Sequence, residues 1–416
     1  MDDAGLTGYF GAAMAALEPF EHAPRLAAGV SGGADSMALA LLADAWARAR
    51  GGSLLALVVD HGLRAESAAE AAETVSRLTS LRIASRLLTI TGLVKGPAIA
   101  ARARDARYRV LTDACRQDRR IHLLLGHHAA DQAETMMIRI LSGSGALGLA
   151  GMPALTETGS LRMLRPLLTV PSMQLRAFLG RKAVTWVDDP SNRDPHALRT
   201  RLRRDPGGGN DGTQALVDAA RQAGRRRSAN DAAIARLLAT RVTMRPEGFA
   251  LLSPGPIMPE ALANVLRTLS GAAFAPGMDQ MADLAAHLRP RTLCGIQILP
   301  AGRLGQGWLL VREEAAIEPP VPAIDGALWD RRFRLWTAQP LADGTMVGAL
   351  GAAASRVRRR TDLPAAVLRV MPALWRCNVL VAVPHLLYPD VNACSGGYRL
   401  GFNPAHPLTT AAFLPA

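Results

Sequence analysis

The sequence predicts an α/β chain: an N-terminal parallel sheet, then a mainly helical middle domain and a small α+β C-terminal domain. Three observations carry that expectation. Across the first 205 residues, short apolar runs alternate with helix-period segments, the pattern of βαβ units. The glycine-rich run Asp205 to Gly212 then interrupts the pattern as a flexible linker would. A second break follows at the proline-rich Glu318-Pro-Pro-Val-Pro322. The expected domains are residues 1–205, 213–316 and 323–416.

Taken in order, the expected strands are Arg25 to Val30, Leu54 to Val59, Ser85 to Ile90 and Ile121 to Leu125, each a short apolar run. Between them, Ser67 to Leu78 and Ala98 to Ala114 repeat apolar residues at three- and four-residue spacing, as helices do. Loops at the carboxyl ends of parallel strands form the ligand crevice of such sheets. Three notable segments fall there: Val30-Ser-Gly-Gly-Ala-Asp-Ser36, Asp60-His61-Gly62 and Gly126-His127-His128. Beyond the linker, Thr213 to Arg241 is a long helical pattern, a mixed segment runs to about Glu314, and Val379 to Val383 is strand-like.

With 416 residues and 49% apolar composition, the chain can bury more than one core. Lys and Arg total 48 against 35 Asp and Glu, a net charge of +13 that points to a polyanionic partner. The four cysteines, Cys115, Cys294, Cys377 and Cys394, form no CxxC pair, which argues against a zinc ribbon, a cluster site or a disulfide framework. The acidic start and the lack of any apolar run near 18 residues predict a soluble, cytoplasmic protein.

The segment Val30 to Ser36 leads a strand through Ser-Gly-Gly into a helix. Backbone N–H groups and the positive helix end then face any anion in the crevice. A Walker loop would add a lysine for γ-phosphoryl transfer; Asp35-Ser36 stand where that lysine would be. The loop therefore suits phosphate binding without kinase chemistry. On its own it could equally be a glycine-rich turn with Ser31 or Asp35 as an ordinary N-cap.

Six segments in order resolve that choice by resemblance. Ser31-Gly-Gly-Ala-Asp-Ser36 resembles the SGGxDS signature of PP-loop, or N-type, ATP pyrophosphatases. Val59-Asp-His-Gly-Leu-Arg64, Ala103-Arg-Asp-Ala-Arg-Tyr108 and Gly126-His-His-Ala-Ala-Asp-Gln-Ala-Glu-Thr135 resemble VDHGLR, AREARY and GHHxDDQxET of the tRNA(Ile)-lysidine synthetase family. Asp189-Pro-Ser-Asn-Arg-Asp194 and Arg199-Thr-Arg-Leu-Arg203 resemble its DPSNxD and RNxIR elements. Two departures stand out: Ala130 where that family has the first of two aspartates, and Thr200 where it has Asn.

The resemblance implies that Ser31, Gly32, Gly33, Ala34, Asp35 and Ser36 bind ATP, with Asp35 also placing Mg²⁺. It implies catalytic roles for Asp35, Arg104, His127 and Asp131, with His127 either a general base or a group that orients the nucleotide. Asp131 and Glu134, three apart on one helical face, would bind lysine. Arg107, Arg199 and Arg203 would hold tRNA. The implied reaction joins free lysine to C2 of the wobble cytidine of a CAU-anticodon isoleucine tRNA, consuming ATP to AMP and pyrophosphate. The implied partners are that tRNA, L-lysine and ATP, with no membrane; a homodimer is left open.

The alternatives are another PP-loop tRNA-modifying enzyme or a catalytically impaired tRNA-binding homologue. A thiolase would want reactive cysteines, and a synthetase with a glutaminase domain would need room before Ser31. The arginine runs Arg225 to Arg227 and Arg356 to Arg360 are candidates for backbone phosphates.

Overall fold

The computed structural model describes residues 1–63, 66–93, 96, 98–145, 147–158, 160–187, 210–389, 397–409 and 413–415. By contacts the chain divides into two compact units, residues 1–230 with 411–416, and residues 231–410.

The first unit opens with helix α1 (Asp3–Ala15), whose N-terminus is capped by the Asp2 carboxylate. Then come β1 (Arg25–Val30), α2 (Ala34–Arg48), β2 (Ser53–Asp60), α3 (Ser67–Ser80), β3 (Ala84–Thr89), α4 (Ile99–Gln117) and β4 (His122–Leu125). Helix α5 (Ala129–Leu141), the short strands β5 (Leu155–Glu157) and β6 (Arg162–Leu164), and α6 (Ser172–Arg181) follow. All four expected strands and the two expected helices between them form; β1 has the expected ends and the others shift by at most three residues.

The six strands make one sheet ordered β3-β2-β1-β4-β6-β5, parallel throughout except for β5 against β6. Period-two alternation sends β1 to both faces. Leu26, Ala28 and Val30 pack with α2 and α6 on one side, while Ala27 packs with Leu111, Ala114 and Cys115 of α4 on the other. Strand β4 is buried at every position, as an inner parallel strand should be. From β1 the chain order runs outward in two directions, so the switch point lies between β1 and β4. A crevice must open beyond the carboxyl ends of these two strands.

The expected linker lies largely outside the described residues, and helix α7 (Asn210–Arg241) already includes its last three. The contact division falls within α7. In the second unit come β7 (Val242–Arg245), β8 (Phe249–Leu252), α8 (Pro259–Ser270), α9 (Met278–Ala286), β9 (Arg291–Leu293), β10 (Ile296–Pro300) and β11 (Trp308–Arg312). Together they show what the mixed segment holds: a five-stranded sheet, β7-β8-β11-β10-β9, beside α8 and α9.

The chain continues with β12 (Val321–Pro322), β13 (Leu328–Trp329), β14 (Phe333–Thr337), β15 (Thr345–Ala349), the short helices α10 (Ala354–Val357) and α11 (Ala365–Val370), then β16 (Pro372–Arg376), β17 (Val379–Ala382) and β18 (Tyr398–Phe402). Two small sheets result, β12-β15-β16-β17 and β13-β14-β18.

A buried ionic cluster ties these segments together across the second expected break. Asp330 is wholly buried and meets Arg312 of β11 at 3.2 Å and Arg332 at 2.5 Å. Arg332 also donates to the Gly248 carbonyl at the β7–β8 turn, and the Glu318 N–H donates to Asp330. Residues on both sides of the proline-rich segment thus share one set of charges.

Candidate active site

At the carboxyl end of β1 the chain turns through Gly32, whose φ of +81° suits glycine alone. A Cβ there would lie 2.3 Å from Thr74 Oγ1 of α3. The Val187 N–H donates to the Gly32 carbonyl, and the Ser31 N–H to Ser36 Oγ, which in turn donates to the Gly33 carbonyl. Gly33 is the N-cap of α2, and among the described residues no side chain caps that helix. Neither Ser31 nor Asp35 therefore plays the ordinary capping role, and the first-turn N–H groups of α2 are left for an anion.

Gly126, at the end of β4, allows a second close approach. A Cβ there would sit 3.2 Å from Ser36 Cα and 3.3 Å from Ser36 N, so glycine lets the α5 loop abut the first turn of α2. The loop then delivers His128 as the N-cap of α5. Its Nδ1 accepts the Ala130 N–H, and the Asp131 carboxylate accepts the His128 N–H. With Nδ1 accepting, the ring proton sits on Nε2, 3.3 Å from Asp35 Oδ2 and 3.6 Å from Asp131 Oδ2.

The other Asp35 oxygen accepts from Ser172 Oγ, at the start of α6, at 2.6 Å. Burial pushes the Asp35 carboxyl up, but the contact with His128, the Ser172 hydroxyl and the Arg176 guanidinium outweigh it, and Asp35 lies below its ordinary range.

These groups border one cavity of about 1280 Å³ within the first unit. Ser31, Gly33, Asp35 and Ser36 line it; so do Arg104, Arg107, His127, Asp131 and Glu134. Two of the expected ATP ligands do not: Gly32 turns toward Thr74 and Val187, and Ala34 is buried in the core. Arg199, Arg203 and the segment from Asp189 to Asp194 lie outside the described residues.

Arg104 and Arg107 are exposed on α4, each with its guanidinium against the Tyr108 ring at 5.3 and 5.7 Å. His127 is pushed down to about 4, first by burial and further by Arg165, Arg104 and Arg107, against the opposing pull of Asp131. It is neutral near pH 7, and its buried Nδ1 has no hydrogen-bond partner among the described residues. Asp60, by contrast, is a structural group: it accepts from the Gly62 N–H and Ser67 Oγ and pins the turn after β2.

The expected site omitted His128, Ser172 and Arg176. A signal for the last two was present: Pro171-Ser172 reads as a helix start, and Arg176 lies four residues on, over the same face. Cys115 has no part in the chemistry, since burial raises its thiol to about 11.

An uncapped helix start at the switch point of a parallel sheet, faced by arginines and carboxylates in one cavity, defines a nucleotide-handling domain of the PP-loop class. The PP-loop domain family model matches residues 11–205. The tRNA(Ile)-lysidine synthase of Mesorhizobium japonicum is 34% identical over 94% of this chain and 88% of its own length. That of Ruegeria pomeroyi is 35% identical over 86% and 88%. The Bradyrhizobium diazoefficiens protein of the same name is 46% identical over 44% of this chain and 51% of its own. The chain belongs to the tRNA(Ile)-lysidine synthase family.

Proposed function

We propose that this chain ligates free L-lysine to C2 of the wobble cytidine in a CAU-anticodon isoleucine tRNA, in the cytoplasm. The cytidine C2 oxygen attacks the α-phosphorus of ATP and pyrophosphate leaves. The lysine amine then attacks C2 and AMP departs with that oxygen, so the ATP serves to turn a poor oxygen leaving group into a good one. The observation that carries this reading is the single cavity in which the uncapped α2 start, Arg104 and Arg107, and the Asp131 and Glu134 carboxylates meet.

The first-turn N–H groups of α2 would hold the pyrophosphate, with Ser36 fixing the loop that presents them. Arg104 and Arg107 offer forked guanidinium groups to phosphate oxygens, of ATP or of the tRNA backbone. Asp131 and Glu134 would hold the lysine ammonium, although the Asp131 carboxylate also caps α5. His127 would orient the nucleotide: a ring pushed down to about 4 is a poor base for an amine, and its buried Nδ1, without a partner among the described residues, suits a hydrogen bond to bound substrate.

Mg²⁺ is commonly held by one or two carboxylates and completed by substrate phosphates and water. Asp35 and Asp131, flanking His128, fit that donor set. When bound, the ion would neutralise charge on the leaving pyrophosphate.

The test uses the purified chain, a CAU-anticodon tRNA transcript, ATP and radiolabelled lysine. Lysine should enter the tRNA with release of AMP and pyrophosphate, and Asp35→Ala should abolish both. Absence of incorporation together with absence of ATP–pyrophosphate exchange in the wild-type chain would refute the proposal.

A further inference from the structure

The three-stranded sheet β13-β14-β18 of the second unit turns one face away from its core. Along β14, Phe333 and Leu335 point inward, which puts Arg334 and Trp336 on the other face. Register pairs Arg334 with Gly401 of β18, and Trp336 with Arg399. That outer face carries a large aromatic ring with 38% of its surface exposed.

The glycine beside the ring explains its pose. A Cβ at Gly401 would lie 3.0 Å from the Trp336 ring, so the indole lies across β18 where any side chain would lift it. Arg399 places its guanidinium 5.6 Å from the ring centroid. Among the described residues no carboxylate pairs with Arg399. Arg334, also on this face, is tethered by one amino group to the Gly326 carbonyl. A cleft of about 500 Å³ opens beside the pair, lined by Trp336, Thr337, Tyr398, Arg399 and Asp325, the last accepting the Thr337 N–H.

A flat aromatic on a sheet with a guanidinium at its edge is the chemistry that holds an unstacked base and its phosphate. We propose that Trp336 and Arg399 form a binding site for an unpaired nucleotide of the RNA substrate, the base on the indole and the phosphate on the guanidinium. The net charge of +13 complements that ligand. The inference rests on the reading that the chain acts on tRNA, and it adds a contact in a unit other than the one that holds the ATP cavity.

Equilibrium binding of the tRNA transcript, measured at several salt concentrations, tests it. Trp336→Ala should weaken binding about 5- to 100-fold with the salt slope unchanged, while Trp336→Phe, which keeps a stacking face, retains most of the affinity. Arg399→Ala should weaken binding and lower the salt slope by about one. ATP binding should be unaltered in all three. Ultraviolet cross-linking of the wild-type complex should mark a peptide that contains Trp336 or Tyr398, an outcome that does not depend on any variant folding.

Unchanged tRNA affinity in a folded Trp336→Ala chain, or cross-links confined to other peptides, would overturn the site while lysine incorporation by the wild type still stands. A wild-type chain that binds no tRNA would overturn both. A protein partner protecting this face, with tRNA binding unaltered by the substitutions, would also refute the proposal.

Discussion

Gly32→Ala is the sharpest test of how the phosphate loop is built. Two costs arise at that position. A residue with a Cβ at φ near +81° carries roughly 1–2 kcal/mol of backbone strain. The new methyl would also meet Thr74 Oγ1 at 2.3 Å, and overpacking of that kind costs about 1–3 kcal/mol. Thr74 is buried and cannot swing away freely, since its hydroxyl donates to the Glu70 carbonyl. The total is about 2–5 kcal/mol, and the chain can relieve it only by shifting the loop, so ATP affinity should fall more than tenfold. Thr74→Ala alone should cost under about 1 kcal/mol, because it removes donor and clash partner together. The double variant Gly32→Ala/Thr74→Ala should recover the steric share and keep the backbone share, giving a coupling of about 1–3 kcal/mol. Isothermal titration with ATP reads all four corners of the cycle. Strict additivity, or a Gly32→Ala chain that binds ATP like the wild type, would refute this account of the loop.

Other outcomes follow from the buried charges. Asp330→Ala leaves Arg312 and Arg332 buried without a counter-charge; Arg332, pushed down to about 10 by burial, stays protonated at neutral pH. The loss should be about 3–5 kcal/mol, seen as an earlier urea transition and faster proteolysis between residues 242 and 402, with ATP binding kept under native conditions. His127 is depressed from 6.5 to about 4 on folding, so the unfolded chain binds the extra proton between those values and stability must rise with pH across that window. The effect is on the order of 3 kcal/mol; a His127→Gln chain should have a urea midpoint that changes less from pH 4 to 7, and equal slopes would exclude a buried neutral ring.

Four strands of the catalytic sheet, β1 to β4, were legible because each is a local apolar run bounded by turns, and α3 and α4 between them show a helical period; β5 and β6, three residues each, were not. In the second unit Val379 to Val383 was legible and forms β17, but β9, β12 and β13 were not, because they are two or three residues long and owe their form to pairing with other strands. Nor could composition show that Asp330, Arg312 and Arg332 would join the segments on either side of Glu318-Pro-Pro-Val-Pro322. Proline-rich stretches read as breaks in local structure. They say nothing about charges that meet across them.

The same distinction governs the site. Glycine positions and helix starts are local facts, and Gly32 and Gly126 sit where neighbouring chain must come close. Asp35 is a different case. Its type and place suggest a metal ligand, and its surroundings also make it a hydrogen-bonded hub: Ser172 lies 137 residues away in sequence on α6, and His128 reaches it from the cap of α5. Asp35 therefore holds three helix starts in mutual register as well as contributing charge. That arrangement also bears on Ala130, which replaces a carboxylate of the family pattern. Its N–H still fixes the His128 tautomer, so the backbone function at that position survives. What is lost is one negative charge in a cavity whose Asp35 and Asp131 carboxylates remain joined through His128.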